Sequence, residues 1–184
     1  MPVSGVHKLA VGRSVYDFYM KQWAGVDPEN GDPLWYKNVK DANDKITGRT
    51  TTNDYAQADY YYTGKSSLPK VYGGFNTAFS YKGFELSTIF AYSIGNYIVD
   101  RDVTMLWHNG SSTGRAWSTE ILNRWTPENP TSDIPRSRAN GSNEYSSLYV
   151  EDGSFLKLKN ITLGYNFLPK TLKRLNINKA RVYV

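Results

Sequence analysis

The 184-residue chain contains no cysteine. That excludes a disulfide framework and a thiolate metal site, and it leaves the compartment open. Histidine is almost as scarce: His7 and His108 are the only two and stand far apart. No Ser, His and Asp grouping sits in a nucleophile-elbow context, so no enzyme and no catalytic residue is expected. Long hydrophobic runs are missing as well, with a mean hydropathy of −0.56. No stretch approaches the ~18 continuous apolar residues of a membrane helix, yet a transmembrane barrel survives this test, because its strands carry lipid-facing residues only at alternate positions. The formal net charge of +5 is scattered, with no basic run interleaved with aromatics, so nucleic-acid binding is not expected. The N-terminal "MPVSGVHKLAVG" lacks the apolar core of a signal peptide, which suggests either a protein that is not exported or an internal piece of a longer one.

Aromatic residues are abundant, at 15% of the chain with 15 Tyr and 5 Trp. They suit either the girdles of a membrane barrel or a sugar-stacking surface. Their spacing is informative in "GGFNTAFSYKGFELSTIFAYSIGNY", Gly73 to Tyr97. Phe75, Thr77, Phe79 and Tyr81 alternate with Asn76, Ala78, Ser80 and Lys82. Beyond Gly83, Phe84, Leu86, Thr88, Phe90, Tyr92 and Ile94 alternate with Glu85, Ser87, Ala91 and Ser93. A period of two builds strands with one apolar face and one small, polar face, and Lys82-Gly83 is a two-residue hairpin turn between them. The same design recurs in "FLKLKNITLGYNF", where Ile161, Leu163, Tyr165 and Phe167 share a face against Asn160, Thr162, Gly164 and Asn166. Tyr16, Phe18 and Met20 alternate with Val15, Asp17, Tyr19 and Lys21, and "INKARVYV" is strand-like up to Val184.

Connections between these strands alternate in length. Lys82-Gly83 and "LPKTLKRLN" (168–176) are short, whereas about 25–71 and about 95–153 are far longer than the ~12–15 residues of an ordinary loop. All short turns therefore lie at one end of the sheet and all long loops at the other, the plan of an outer-membrane barrel. In the first long loop, "AGVDPENGDPLWYK" is expected to form a small hairpin with "DPENG" as its turn. In the second, a short helix is expected from about Arg115 to Trp125, stopped by Pro127.

The stretches "GVDPENGDPLWY", "GGFNTAFSYKGFELSTIF", "RWTPENP" followed by "IPR", "VEDGSFLKLKNITLGYNF" and "RVYV" resemble, in this order, the C-terminal part of SusC/RagA-type TonB-linked outer-membrane proteins. The resemblance runs from about Gly12 onward. It implies an all-β chain: an antiparallel transmembrane β-barrel segment, about five spanning strands of a larger barrel, with long extracellular loops. Residues 1–184 would be a partial C-terminal barrel region, with the plug domain and the final strands absent. It further implies a TonB-dependent importer of oligosaccharide or peptide nutrients in the outer membrane of a Gram-negative bacterium. Its partners would be a SusD-like surface lipoprotein, membrane lipid, and the TonB complex through regions absent here. Phe79, Tyr81, Phe84, Leu86, Phe90, Tyr92, Leu163, Tyr165 and Phe167 would face lipid. Asn76, Ser80, Glu85, Ser87, Ser93, Asn160, Thr162 and Asn166 would face the lumen. The rival from another class is a soluble β-sandwich that binds carbohydrate, and a third reading is a barrel scaffold that transports nothing.

Four aromatic residues are candidates for contact with ligand or partner: Trp107, Trp117, Trp125 and Tyr61. The plainer reading makes Trp117, Ile121 and Trp125 the apolar stripe of the expected helix. Among Tyr60, Tyr61 and Tyr62, alternate members would face a partner. Asp27, Glu29, Asn30 and Asp32 offer oxygen ligands but lack EF-hand spacing, and a turn with solvated carboxylates is favoured over Ca²⁺. No metal or cofactor is expected, and Arg136 and Arg138 are read as rim charges.

Overall fold

Alternating sequences become antiparallel strands throughout the computed structural model, which describes residues 3–107, 110, 112, 114–138, 144–173 and 176–184. The strands are β1 (Val3–Ser4), β2 (His7–Lys8), β3 (Asp17–Lys21), β4 (Trp23–Val26), β5 (Pro33–Lys40), β6 (Ile46–Thr52), β7 (Tyr60–Ser66), β8 (Val71–Tyr81), β9 (Phe84–Ile94), β10 (Tyr97–Val99), β11 (Val150–Asp152), β12 (Phe155–Asn166) and β13 (Arg181–Tyr183). Among the described residues there are two short α-helices, α1 (Arg101–Leu106) and α2 (Pro169–Leu172). The chain divides into two units, a loop unit of residues 1–67 and 97–152 and a sheet unit of residues 68–96 and 153–184. His108, Arg174 and Leu175 lie outside the described residues.

The sheet unit is one four-stranded antiparallel sheet in the order β13-β12-β9-β8. Its register sorts the side chains as the sequence pattern requires. Phe79, Leu86 and Leu163 stand in one row across the strands, Tyr81, Phe84 and Tyr165 in the next, and Phe75, Phe90 and Leu158 in another. Directly opposite residues share a face, so these rows make one continuous apolar surface. Phe75 stacks on Phe90 at 4.8 Å and Phe84 lies 4.7 Å from Tyr165. Among the described residues of the unit none covers this surface: Phe79, Phe84, Ile161 and Leu163 are each more than half exposed.

The turn between β8 and β9 has Lys82 at φ 47° and Gly83 at φ 93°. Positive φ at both central residues is the type I′ geometry, whose twist matches that of the strands it joins. The Gly83 carbonyl accepts the Asn166 N–H at 2.7 Å, and a Cβ at Gly83 would stand 2.6 Å from the Asn166 carbonyl oxygen. Gly83→Ala is therefore expected to destabilise the sheet by about 1–3 kcal/mol, read as a fall in the unfolding midpoint of the detergent-solubilised protein.

One irregularity interrupts the period of two. In "LKLKNI" the apolar phase slips, and the pairing of β12 with β9 jumps between Leu158 and Asn160. The extra residue, Lys159, is a β-bulge that lets Leu158 and Ile161 both point to the apolar face. All long connections leave from the end of the sheet where Val71 pairs with Ile94 and Phe155 with Ser93, and both short connections lie at the opposite end. The alternation expected from the sequence is thus present.

The loop unit holds three small sheets: β1-β2-β3-β7, β4-β5-β6 and β10-β11. Its core centres on Phe18, Met20 and Val150, packed by Val6, Tyr97 and Val99. The segment Tyr16–Lys21, counted among the spanning strands in the sequence, pairs as β3 with β2 and β7 here, and its five residues fall short of the ~9–11 of a transmembrane strand. The strands β8, β9 and β12, at 11, 11 and 12 residues, have that length.

The "DPENG" turn forms as expected. Asp27 donates its N–H to the Asp32 carbonyl at 2.8 Å and accepts from the Gly31 N–H at 2.7 Å, with Gly31 at φ 75°. The β5–β6 hairpin extends this ribbon. The helix expected over about 115–125 is absent; only a 3₁₀ turn at Thr119–Asn123 forms, capped by Ser118. Tertiary bonds win over local helix propensity, because the Trp125 N–H, which a helix would use internally, donates to the Ile134 carbonyl at 2.8 Å. Trp117, Ile121 and Trp125 therefore form no stripe; Ile121 is buried alone while Trp117 stays partly exposed.

Candidate functional site

On the polar face of the sheet unit, Ala78, Ser87 and Thr162 form one row and Ser80, Glu85 and Gly164 the next. Glu85 is the hub. Its carboxylate accepts from Asn166 Nδ2 at 2.6 Å and pairs with Arg181 Nη2 at 2.8 Å. Arg181 reaches across Gly164, where a Cβ would lie 3.4 Å from the guanidinium. A hydrophilic wall with a fixed, half-exposed ion pair is thus set back to back with a bare apolar surface. Ile89 is the one large aliphatic exception in the central rows of this face.

In the loop unit the two long connections are tied together at Asp32. Its nearly buried carboxylate takes Arg136 Nε at 2.9 Å, the Arg138 guanidinium and Asn53 Nδ2 at 3.3 Å. Arg136 and Arg138, read from the sequence as rim charges, are instead the partners of an inward-facing anion. Of the other two carboxylates of the turn, that of Asp27 is spent on local bonds, accepting from the Glu29 N–H and from Asn30 Nδ2.

Trp125 reinforces the same tie. Its indole lies over Gly31, where a Cβ would come within 2.4 Å of the ring, and its Nε1 donates to the Pro28 carbonyl at 3.2 Å. Trp107 Nε1 donates to Glu120 at 2.9 Å. Its ring borders a narrow cavity with Trp23, Trp35, Ile121 and Tyr149, whose space of about 20 Å³ suits one water and no sugar ring. Tyr61 is buried on the Phe18 and Met20 side; its hydroxyl donates to Asn38 at 2.9 Å and the Arg49 guanidinium lies 4.3 Å from its ring centre. Of the four aromatic candidates, only Trp117 presents much of its surface outward.

Lys21 is buried against Tyr55, with Nζ on the Tyr55 carbonyl and 3.9 Å from its ring centre. Burial lowers its pKa, opposed by the charges of Glu144, Asp54 and Asp59. Burial likewise pushes the Tyr55 hydroxyl up to about 12, helped by Tyr60 and Glu144, and raises that of Tyr149. Tyr55 ordinarily ionises near 10, so between pH 10 and 12 the unfolded chain releases a proton that the folded one keeps. Stability is unaffected below pH 10 and falls as pH rises through that window. Absorbance titration at 295 nm of wild type against Tyr55→Phe is expected to show a late-ionising tyrosine missing from the variant.

No family model matches the chain. It is 31% identical to TonB-dependent receptor P26 of Formosa agariphila over 98% of its own length and 18% of that receptor's. It is 34% identical to TonB-dependent receptor P3 of the same organism, over 96% and 17%. Among solved structures, the RagAB peptide importer in its closed-closed state matches 91% of the chain with a TM-score of 0.74 and 32% identity. The chain belongs with the TonB-dependent receptors. The open-open state of the RagAB importer matches with a TM-score of 0.69 and 30% identity. The chain spans 18% of the matched RagAB chains and less than a fifth of the two receptors. In this TonB-dependent receptor segment the antiparallel sheet is barrel wall, and its three long strands have spanning length.

Proposed function

We propose that the chain is part of the barrel and long loops of a TonB-dependent importer in the outer membrane of a Gram-negative bacterium. In this reading residues 1–184 belong to a longer protein whose plug and TonB-contacting segment lie elsewhere. A SusD-like surface lipoprotein works with it, and the cargo is an oligosaccharide or a peptide. The observation that carries the reading is the two-faced sheet: strands of spanning length, a continuous apolar surface that no described residue of its unit covers, and a hydrophilic wall behind it. In water such a surface would cost tens of cal/mol per Å²; in lipid it is at rest.

The apolar rows Phe75–Phe90–Leu158 and Phe79–Leu86–Leu163 then face hydrocarbon. The row Tyr81–Phe84–Tyr165, beside the Lys82-Gly83 turn, lies in the periplasmic interface, where aromatic rings anchor. The Glu85–Arg181 pair faces the lumen. Trp117 is assigned to lipoprotein or cargo contact. Trp107, Trp125 and Tyr61, committed to internal bonds, support that role by shaping the loops.

The test is extraction of outer membranes in detergent, with the native polypeptide captured through an epitope in a long loop. A chain of roughly 100 kDa that brings a lipoprotein with it is expected for a many-stranded barrel with a plug. A water-soluble species of 20.9 kDa would overturn the proposal.

A further inference from the structure

Three consecutive tyrosines in β7 divide by strand geometry: Tyr61 enters the core, and Tyr60 and Tyr62 turn to the other face. On that outer face β3 contributes Tyr19, which stands opposite Tyr62 in register. Tyr19 stacks on Tyr60 with ring centres 5.6 Å apart and tilts against Tyr62 at 4.9 Å. Three cations rest on this ladder, one of them the buried Lys21, whose Nζ is 5.4 Å from the Tyr60 ring centre. Lys8 Nζ is 4.5 Å from the Tyr19 ring centre and donates to the Tyr19 hydroxyl at 3.3 Å; the Arg13 guanidinium is 4.8 Å from the Tyr62 ring centre.

Among the described residues no ion pair engages Lys8 or Arg13. Cation–π contact holds such groups in place but leaves their charge unneutralised. Two positive charges fixed on neighbouring rings repel each other, and an anion seated between them relieves that repulsion with charge-assisted hydrogen bonds. Beside the pair, Tyr60 is 44% exposed, and the part of its ring left open by Tyr19 and Lys21 is a flat apolar surface.

We propose that the Tyr19–Tyr60–Tyr62 ladder with Lys8 and Arg13 binds a sugar chain bearing carboxylate or sulfate groups. A sugar ring has an apolar C–H face to lay on Tyr60 and an anionic substituent to reach Lys8 and Arg13. An acidic peptide would engage the cations and leave the flat ring without a matching partner. The inference deepens the importer reading and rests on it only in placing this loop surface where external glycan arrives.

Binding is measured calorimetrically on the detergent-solubilised, full-length receptor. The probes are a hexameric oligogalacturonate, a sulfated hexasaccharide, neutral maltohexaose and hexaglutamate. At least one anionic sugar is expected to bind, at least tenfold tighter than maltohexaose or hexaglutamate, and more weakly as salt rises. Arg13→Gln and Tyr60→Ala, both at exposed positions, are expected to weaken that binding about tenfold each without moving the unfolding midpoint. Failure of both anionic sugars to bind, equal binding of maltohexaose or hexaglutamate, or indifference to both substitutions overturns the inference. Whole-cell uptake separates the two claims. A receptor that imports nutrients yet ignores the anionic sugars loses only this site, and one that binds them through Tyr60 but imports nothing loses only the importer reading.

Discussion

Leu86→Arg is expected to destabilise the barrel in lipid by about 2–4 kcal/mol, whereas Ser87→Arg, one residue further along β9, is expected to change it by less than about 1 kcal/mol. Leu86 sits in the middle of the apolar row, between Phe79 on β8 and Leu163 on β12. A guanidinium there must snorkel out of hydrocarbon or drag water in. Ser87 stands between Ala78 and Thr162 on the hydrophilic face, where a long cation finds water and the Glu85 carboxylate nearby in the sheet. The contrast between adjacent positions is what matters, because strand propensity and turn chemistry are shared. Urea unfolding of the reconstituted protein in liposomes reads both values, and equal costs would mean that the apolar surface does not face lipid.

Asp32→Ala is expected to be the most damaging change in the loop unit, at about 2–3 kcal/mol. Breaking a buried ion pair by removing one partner ordinarily costs about 3–5 kcal/mol. The lower figure allows for the two arginines being partly exposed, with side-chain accessibilities of 41% and 43%, so that water takes over part of their solvation. Loss of the carboxylate also frees Asn53 and loosens the turn beneath Trp125. Arg136→Ala should cost less, because Arg138 still meets Asp32. Limited proteolysis between Thr126 and Arg138 gives the readout: Asp32→Ala cleaved much faster than wild type, Arg136→Ala in between.

The sheet was legible where its determinants are local. The alternation in β8 and β9 and the Lys82-Gly83 turn between them are read within two dozen residues, and the structure places each side chain on the expected face. "DPENG" is legible for the same reason, since Asp, Asn and Gly supply the bonds and the positive φ of the turn from within it. The Lys159 bulge breaks the period of two that made the strands readable, and only pairing with β9 decides which residue is extra. The polar hairpin strand "ITGRTTT" carries no apolar alternation at all. Tyr16–Lys21 alternates like a spanning strand, and its short length appears only when β2 and β7 end the ladder. The Asp32–Arg136 contact joins residues 104 apart in sequence, with no local signal at either end. In "DYYYTG" the alternation signal was present: it shows that Tyr60 and Tyr62 share a face, but which face is outward depends on Phe18 and Met20 across the ladder.

The central claim is that one face of the β8–β9–β12 sheet meets lipid and the other meets water. Because the chain contains no cysteine, single cysteines at Phe79, Ser80, Leu86, Ser87, Thr162 and Leu163 in the full-length protein, on a background lacking other reactive cysteines, can be spin-labelled and their collision rates compared in liposomes. The account predicts oxygen-rich, nickel-poor environments at Phe79, Leu86 and Leu163 and the reverse at Ser80, Ser87 and Thr162. Uniform nickel access on both faces, or an apolar face shielded from both reagents, would contradict it.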